Sequence, residues 1–357
     1  MKEKDGMMSM KEGYKTRHSD RDIEILLAVY HLQAILMGDI EDTYYGGRKK
    51  GREKLQQQCD RGYLERRHIP NKKRGGSFSV YEIKEKGIEL LFNLGKIEQK
   101  RRARDLSLPR IEMADRVEIS KVAINLTQSG WSFLGSSDGK KEEELPNTSL
   151  MQCLLTSPER MNYQVYIVHE SITENKLTKL IQELTSNKNG SLVLYKARFA
   201  EDETPAYKAI VKEFTESHLA INELCLIPLV ELEQGGEKIN LTMQMLKHSG
   251  VEKVKKYLQR QYGKVRYSDN RYGFGDMVVE QEGGDYHICN YLRRDRSALR
   301  LLAENHTQSE YKNIGKGAIV LTWNGFVKEA QQIIDSYQKR DFIQVKGLTI
   351  KDIIDSQ

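Results

Sequence analysis

No stretch of the 357-residue chain is apolar for long enough to cross a bilayer. The opening Met1–Asp20 is polar and mixed in charge, with no apolar segment of the kind a secretory signal needs. Both absences lead to the expectation of a cytoplasmic, non-membrane protein whose residues 1–18 form a flexible arm. Cysteine is scarce: Cys59, Cys153, Cys225 and Cys289 are scattered, without a CxxC pair or a Cys/His pair at ligand spacing. They read as reduced thiols, and neither a metal site nor a cofactor is expected from them. A GxxxxGK[ST] loop is missing, which argues against an ATPase. The eight histidines form no His-hydrophobe-His triplet, as a rolling-circle relaxase would require. Tyr44–Tyr45 looks superficially like a paired-tyrosine nucleophile, but its place at a helix end before Gly46–Gly47 points to packing. The stretch "HICNYLRRDR" has the residue types of a tyrosine recombinase without their order or spacing.

What is present is an uneven distribution of charge. The net charge is +6, yet residues 1–105 hold 24 Lys/Arg against 17 Asp/Glu. Between Arg48 and Arg74 there are 11 basic and 3 acidic residues. A one-sided basic segment of this kind points to a polyanionic partner for one domain.

The local patterns there are specific. "SDRDIEILLAVYHLQ" offers Ser19 and Asp20 as helix caps, followed by Ile23, Leu26, Leu27 and Tyr30 at helical spacing. "ILMGDIEDTYY" predicts a second, short helix, and Arg48–Asp60 a third. In the third, Gly51, Leu55 and Gln58/Cys59 share one stripe assigned to packing, and Gly51 suits a close helix crossing. Lys49, Glu53 and Gln56 point away, with Lys50 and Arg52 on the flanks. "GYLERRHI" and "SFSVYEIK" then predict two strands around the basic turn "PNKKRGG", and "KGIELLFNL" a further helix.

Three helices and a hairpin with a basic tip form a winged-helix pattern over residues 19–95. The third helix of such a domain enters the DNA major groove while the wing reaches phosphates. The expected DNA-binding residues are therefore Arg48, Lys49, Lys50, Arg52 and Gln56 on the helix and Lys72, Lys73 and Arg74 on the wing. Arg52 and Gln56 are the pair placed for base edges. A winged helix used for protein contacts, or a plain solvated basic face, is the competing reading. "KIEQKRRARDLSLPR" reads as a basic linker over residues 96–108.

From about Leu108 strands and helices alternate, which predicts an α/β segment over residues 109–235 with some parallel pairing. "GGEKIN" separates a final α/β segment over residues 236–357. It is expected to hold one long helix over "LTMQMLKHSGVEKVKKYLQRQY", then strands "GDMVVEQE", "DYHICNYL", "GAIVLTW" and "DFIQVK" with helices between them.

The run "RDIEILLAVYHLQ…RKKGREKLQQQCDRGYLERR…SVYEIKEKGIELL" resembles the winged-helix part of the replication-relaxation family of plasmids and other mobile elements. That resemblance implies a DNA-binding head joined to a domain similar to the PD-(D/E)XK nuclease fold. Such a nuclease needs an acid on one strand and (Asp/Glu)-x-Lys on the next, so that two carboxylates hold the metal and the lysine assists water. Asp276 matches the first acid. Cys289, Asn290 and Tyr291 stand where Glu-x-Lys belongs, so Asp276 reads as a relict and no metal site is expected, unless Glu280 or Glu282 substitutes. His169 and Glu170 close the best strand of the middle segment and read as strand-end polar residues. That segment could be a diverged second copy of the C-terminal one.

The overall expectation is an α+β, α/β multidomain chain: a winged helix followed by one or two degenerate PD-(D/E)XK-like domains. Its function is expected to be sequence-preferring binding of double-stranded DNA in a plasmid, phage or integrative element, in replication, transfer or transcription control. The expected partners, besides DNA, are a second copy of the chain in a homodimer and replication or transfer proteins. The alternative is a metal-dependent nuclease or nickase.

Overall fold

The computed structural model describes residues 18–46, 48–71, 76–234, 237–268, 275, 277–281, 284–305, 317–337 and 342–356. The chain divides into two compact units, residues 1–128 with 134–138 and residues 129–133 with 139–357. The 1–18 arm falls almost wholly outside the described residues.

The first unit begins with α1 (Asp20–Leu32), and Ser19 rather than Asp20 is its cap. The Ser19 hydroxyl accepts from the Asp22 amide, and the Asp22 carboxylate accepts from the Ser19 amide, so both ends of a capping box are present. Next come β1 (Ile35–Leu36), α2 (Met37–Tyr45), α3 (Arg48–Asp60), β2 (Leu64–Asn71), β3 (Gly76–Ile83) and α4 (Glu85–Asn93). The expected second helix starts only at Met37, because Ile35 and Leu36 pair antiparallel with Tyr81 and Val80 and give the hairpin a third strand, in the order β1-β3-β2. The segment expected to be a linker carries a one-turn helix, α5 (Ala103–Leu106), and buries Ile97, Leu106 and Leu108. The unit continues through α6 (Arg110–Thr127), whose Met113 and Val117 share an apolar cluster with Ala34, Ile69 and Val80. Burial of that helix carries this unit about twenty residues past the composition change at Leu108.

β4 (Ser132–Gly135) and α7 (Ser136–Glu142) lie where the chain alternates between units. The second unit then runs β5 (Cys153–Thr156), β6 (Asn162–Val168), α8 (Glu174–Ser186), β7 (Gly190–Lys196), α9 (Pro205–Glu216), β8 (Glu223–Leu229) and a two-stranded hairpin β9 (Glu231–Gln234)/β10 (Glu237–Asn240). After it come α10 (Leu241–His248), α11 (Val251–Tyr262), β11 (Val265–Tyr267), β12 (Met277–Gln281), β13 (Gly284–Asn290), a 3-10 turn at Tyr291–Arg293, α12 (Arg296–Asn305), β14 (Gly317–Trp323), α13 (Val327–Ser336), β15 (Ile343–Leu348) and α14 (Ile350–Ile354). One long helix was expected over residues 241–262, and the structure corrects this to two. Gly250 is extended (φ −62°, ψ 143°) as the cap of α11, and the Glu159 carboxylate accepts from the Val251 amide, so the backbone is turned out of the helix there.

The two five-stranded sheets of this unit share one plan, β4-β5-β6-β7-β8 and β11-β12-β13-β14-β15. In each, the second and third strands pair antiparallel and the last two ladders are parallel. The likeness extends to side chains. Tyr163 lies opposite Gly190 at the start of one parallel ladder, and Tyr286 lies opposite Gly317 at the start of the other. A Cβ on Gly190 would fall 2.6 Å from the Tyr163 ring, and one on Gly317 3.0 Å from the Tyr286 ring. In both halves a tyrosine therefore covers a glycine that no larger residue can replace without displacement. Helices α8 and α9 pack Leu180, Leu184, Ile210 and Phe214 against Val193 and Tyr195. Helices α12 and α13 pack Leu299, Leu302, Ala330 and Ile334 against Val320 and Ile343.

The halves are joined along the outer edge of β8. There the Leu224 amide donates to the Asp295 carboxylate at 3.1 Å, the Leu226 amide donates to the Arg294 carbonyl at 3.4 Å, and Cys225 bridges Asp295. A short piece of the second half thus occupies part of an edge that would otherwise offer unpaired backbone groups.

Candidate nucleic-acid interface and a buried arginine cluster

Helix α3 crosses α2 at Gly51, where a Cβ would lie 3.0 Å from the Glu41 side chain and 3.1 Å from the Tyr45 ring. The cost of a mid-helix glycine is offset by this close approach. Gly51, Leu55 and Gln58 are buried and Cys59 half-buried, while Lys50, Arg52, Glu53, Lys54, Gln56 and Gln57 are exposed. One face therefore packs and the other offers three cations and two amides to solvent with two acids, Glu53 and Asp60. The exposed residues have partners of their own. Arg52 Nε is 3.6 Å from the buried Glu41 carboxylate, and Gln56 donates to Asp60 at 2.8 Å. The side chains of Arg48 and Lys49 and the whole of Lys72, Lys73 and Arg74 lie outside the described residues.

On the hairpin Arg66 donates to Ser79 at 3.1 Å on the exposed side. Arg67 turns inward to Glu82 at 3.1 Å and to the Leu108 carbonyl at 3.3 Å. Burial pushes the Tyr44 phenol up to about 12, and burial together with Asp22 does the same for Tyr45. A phenolate nucleophile is disfavoured at both positions.

In the C-terminal half, Asp276 and Glu282 lie outside the described residues. Glu280 is held by Lys264 at 2.6 Å and by Arg266 at 3.8 Å. The residues standing where Glu-x-Lys belongs have structural work. Cys289 and Tyr291 are buried, and Asn290 caps the 3-10 turn, accepting from the Leu292 amide at 3.3 Å and donating to the Ser249 carbonyl at 3.0 Å. Among the described residues no group of three or more His, Cys, Asp or Glu could hold a metal. His169 and Glu170 are exposed at the end of β6.

The densest assembly of polar chemistry follows Asn290 directly, in "YLRRDRSALR". Arg293 donates to Ser249 Oγ at 3.0 Å and to Glu159 at 3.3 Å, and stacks near Trp131 and Tyr163. Arg294 holds the left-handed conformation (φ 55°, ψ 41°), which a non-glycine residue keeps only when its surroundings over-determine it. Those surroundings are explicit. Its Nε and Nη2 donate to Glu329 at 3.1 and 2.7 Å, its Nη1 donates to the Tyr195 hydroxyl at 2.7 Å, and its face lies 4.3 Å from Phe326. Arg296 donates to the other Glu329 oxygen at 2.8 Å.

Burial alone would raise the Glu329 pKa, but Arg294 and Arg296 overcome it and hold the carboxyl near about 2. Asp295 goes the other way, pushed up by burial and by the neighbouring Glu223. Burial also pushes up the phenols of Tyr163, Tyr195, Tyr207 and Tyr291, so all four remain protonated. Sequence reading passed over these arginines because it tested them only against recombinase spacing. The signal was there: four arginines within eight residues beside an apolar strand, a density that a buried segment tolerates only with acids brought from elsewhere.

The chain matches no family model, no curated protein and no solved structure.

Two cavities adjoin the cluster. One, of about 280 Å³, is walled by Tyr195, Tyr207, Arg294 and Phe326, and its rim carries Glu201, Asp202, Glu203 and Lys328. Its arginine has every nitrogen occupied and its rim is mainly acidic, so it offers little to an anion. The other lies between α9, α12 and α13, and its arginines are differently placed.

Proposed function

We propose that the first unit is a winged-helix head that binds double-stranded DNA with sequence preference. The chain would serve a plasmid, phage or integrative element in replication, transfer or transcription control. The observation that carries this reading is the division of α3: Gly51, Leu55 and Gln58 face inward, while Lys50, Arg52, Lys54, Gln56 and Gln57 face solvent. The order of three helices and an antiparallel hairpin around that helix is consistent with it. In such a head the cations neutralise phosphates, while Arg52 and Gln56 read guanine and adenine edges. Arg52 pairs with Glu41 and Gln56 with Asp60, and both pairings must be exchanged for base contacts. The second unit would be a nuclease-like pair of sheets without a working metal centre, supplying homodimer or partner contacts.

The test is selection of bound duplexes from a random pool with the full chain. Wild type is expected to enrich a consensus that relaxes at one position in Arg52→Ala and at another in Gln56→Ala. Failure of the wild type to enrich any consensus would overturn sequence-preferring binding.

One observation favours a second reading, a metal-dependent nuclease or nickase. Asp276 directly precedes β12, the second strand of a sheet whose central strands run antiparallel and then parallel. Cleavage of plasmid DNA with magnesium or manganese that disappears in Asp276→Ala would establish that reading. The role of Asn290 as a turn cap counts against it.

A further inference from the structure

We propose that the cavity between α9, α12 and α13 is a phosphate-binding site built on Arg300 and Arg296. It has a volume of about 250 Å³ and is lined by Arg296, Arg300, Phe214, Thr215, Gln332 and Ser336, among others. The two arginines lie one helical turn apart on α12, so their side chains share a face. Both are about nine-tenths buried.

Their hydrogen bonding sets them apart from the arginines beside them. All three nitrogens of Arg294 donate to Glu329 or to tyrosine hydroxyls. Arg300 Nε and Nη1 and Arg296 Nε are buried and have no hydrogen-bond partner among the described residues. Glu304 forms an ion pair with Arg300 at 3.7 Å from Nε, too far for a hydrogen bond. A buried guanidinium donor without an acceptor is costly, and an arriving oxyanion removes that cost.

The stacking geometry selects the acceptor. The Arg300 guanidinium lies over the Phe214 ring at 4.5 Å, which uses its face and leaves the in-plane N–H donors for oxygens. Glu329 also lines the cavity, but its charge is already neutralised by Arg294 and Arg296 at 2.7 and 2.8 Å. On the rim Glu203 is paired with Lys208 at 3.6 Å. Counting Arg294, Arg296 and Arg300 against Glu329 and Glu304 leaves one positive charge with forked donors, which matches a tetrahedral oxyanion. The Ser336 hydroxyl donates to the Ile333 carbonyl, and with exposed Thr215 and Gln332 it marks the opening. Two sources carry this chemistry: a free small phosphate and the terminal phosphate of a nucleic-acid strand. The inference does not rest on the DNA-binding reading of the first unit.

The experiment titrates the full chain with inorganic phosphate at matched ionic strength. It follows the melting temperature and the 31P linewidth of the added phosphate. A saturable rise in melting temperature and line broadening are expected for wild type, because a ligand that binds only the folded state stabilises it. Arg300→Gln is expected to weaken binding at least tenfold and Arg300→Lys less. Thr215→Trp, which obstructs the opening and leaves the arginines in place, is expected to abolish it. The last variant keeps the test valid if Arg300→Gln fails to fold. A tetranucleotide with a 5′-phosphate is compared with the same strand bearing a 5′-hydroxyl. Tighter binding of the former than of inorganic phosphate assigns the strand terminus, and binding of inorganic phosphate alone assigns the small ligand. No saturable effect in wild type, or the same effect in Arg300→Gln and Thr215→Trp, overturns the proposal.

Discussion

Glu329 is the residue on which the arginine cluster turns, because its carboxylate accepts from both Arg294 and Arg296 and is the acid that balances them. Replacing it with alanine would leave two buried cations uncompensated, and Glu329→Ala is expected to lower stability by about 3–5 kcal/mol. Urea unfolding at neutral pH measures this directly, and a loss below 1 kcal/mol would show that the cluster is hydrated. His248 provides a second residue-scale test. It is buried and its pKa is lowered to about 4 from 6.5, by burial first and then by Lys253 and Lys247. Unfolded, it takes up a proton near pH 6.5; folded, it does so only near pH 4. Its contribution is therefore complete above pH 6.5 and lost as pH falls towards 4, amounting to about 3 kcal/mol. Glu329, held near about 2, adds a loss below pH 4.5 of the same sign. Asp295, whose carboxyl is pushed up by burial and by Glu223, acts in the opposite sense in this range, so His248→Gln should remove a loss of stability between pH 6.5 and 4 while leaving the fall below 4.5. An unchanged slope between pH 6.5 and 4 would show that His248 is not the titrating group.

At the scale of the element, α3 shows how much a pattern reveals. Spacing alone separated Gly51, Leu55 and Gln58 from Lys50, Arg52, Glu53 and Gln56, since a 3.6-residue period sorts buried from exposed positions. Spacing could not show that Arg52 faces Glu41, because that acid belongs to another helix and became a partner only through the crossing at Gly51. Leu55→Ala is thus expected to cost about 2–5 kcal/mol of stability in the first unit. Arg52→Ala should change base preference and also lower stability modestly, by leaving the buried Glu41 unpaired. Circular-dichroism melts beside the site selection separate the two effects, and equal destabilisation by Gln56→Ala would remove any special place for the Glu41 pair. On the hairpin, replacing Lys72, Lys73 and Arg74 together by alanine is expected to weaken all duplexes about equally and flatten the salt dependence. The α10–α11 break was not legible in the same way. An uninterrupted amphipathic pattern crosses it, and the residue that turns the backbone, Glu159, lies 92 positions earlier.

For the whole second unit, the strand and helix order was readable from apolar runs. The equivalence of the two sheets was only hinted at, because it resides in ladder directions and in the Tyr163–Gly190 and Tyr286–Gly317 pairs. The arginine cluster spans both halves and should make them unfold together. The protein's two tryptophans report on this conveniently, since Trp131 lies against Tyr163 while Trp323 donates to the Leu292 carbonyl at 2.8 Å. Single-tryptophan variants Trp131→Phe and Trp323→Phe, followed by fluorescence in urea, are expected to show coincident midpoints. Separate midpoints would mean that each sheet is stable without the other, despite the ion pairs that join them.

The closure of the β8 edge has a consequence in time during synthesis. Leu224 waits for Asp295, a residue 71 positions further along the chain. At roughly 5–20 residues per second, a ribosome needs on the order of 4–14 seconds to make that stretch. Throughout that interval the first sheet can be complete apart from one strand edge, a template onto which another nascent chain can add. Faster translation of codons 230–295 should therefore raise the soluble yield of this protein, and a pause placed there should lower it, with no change in the sequence of the product.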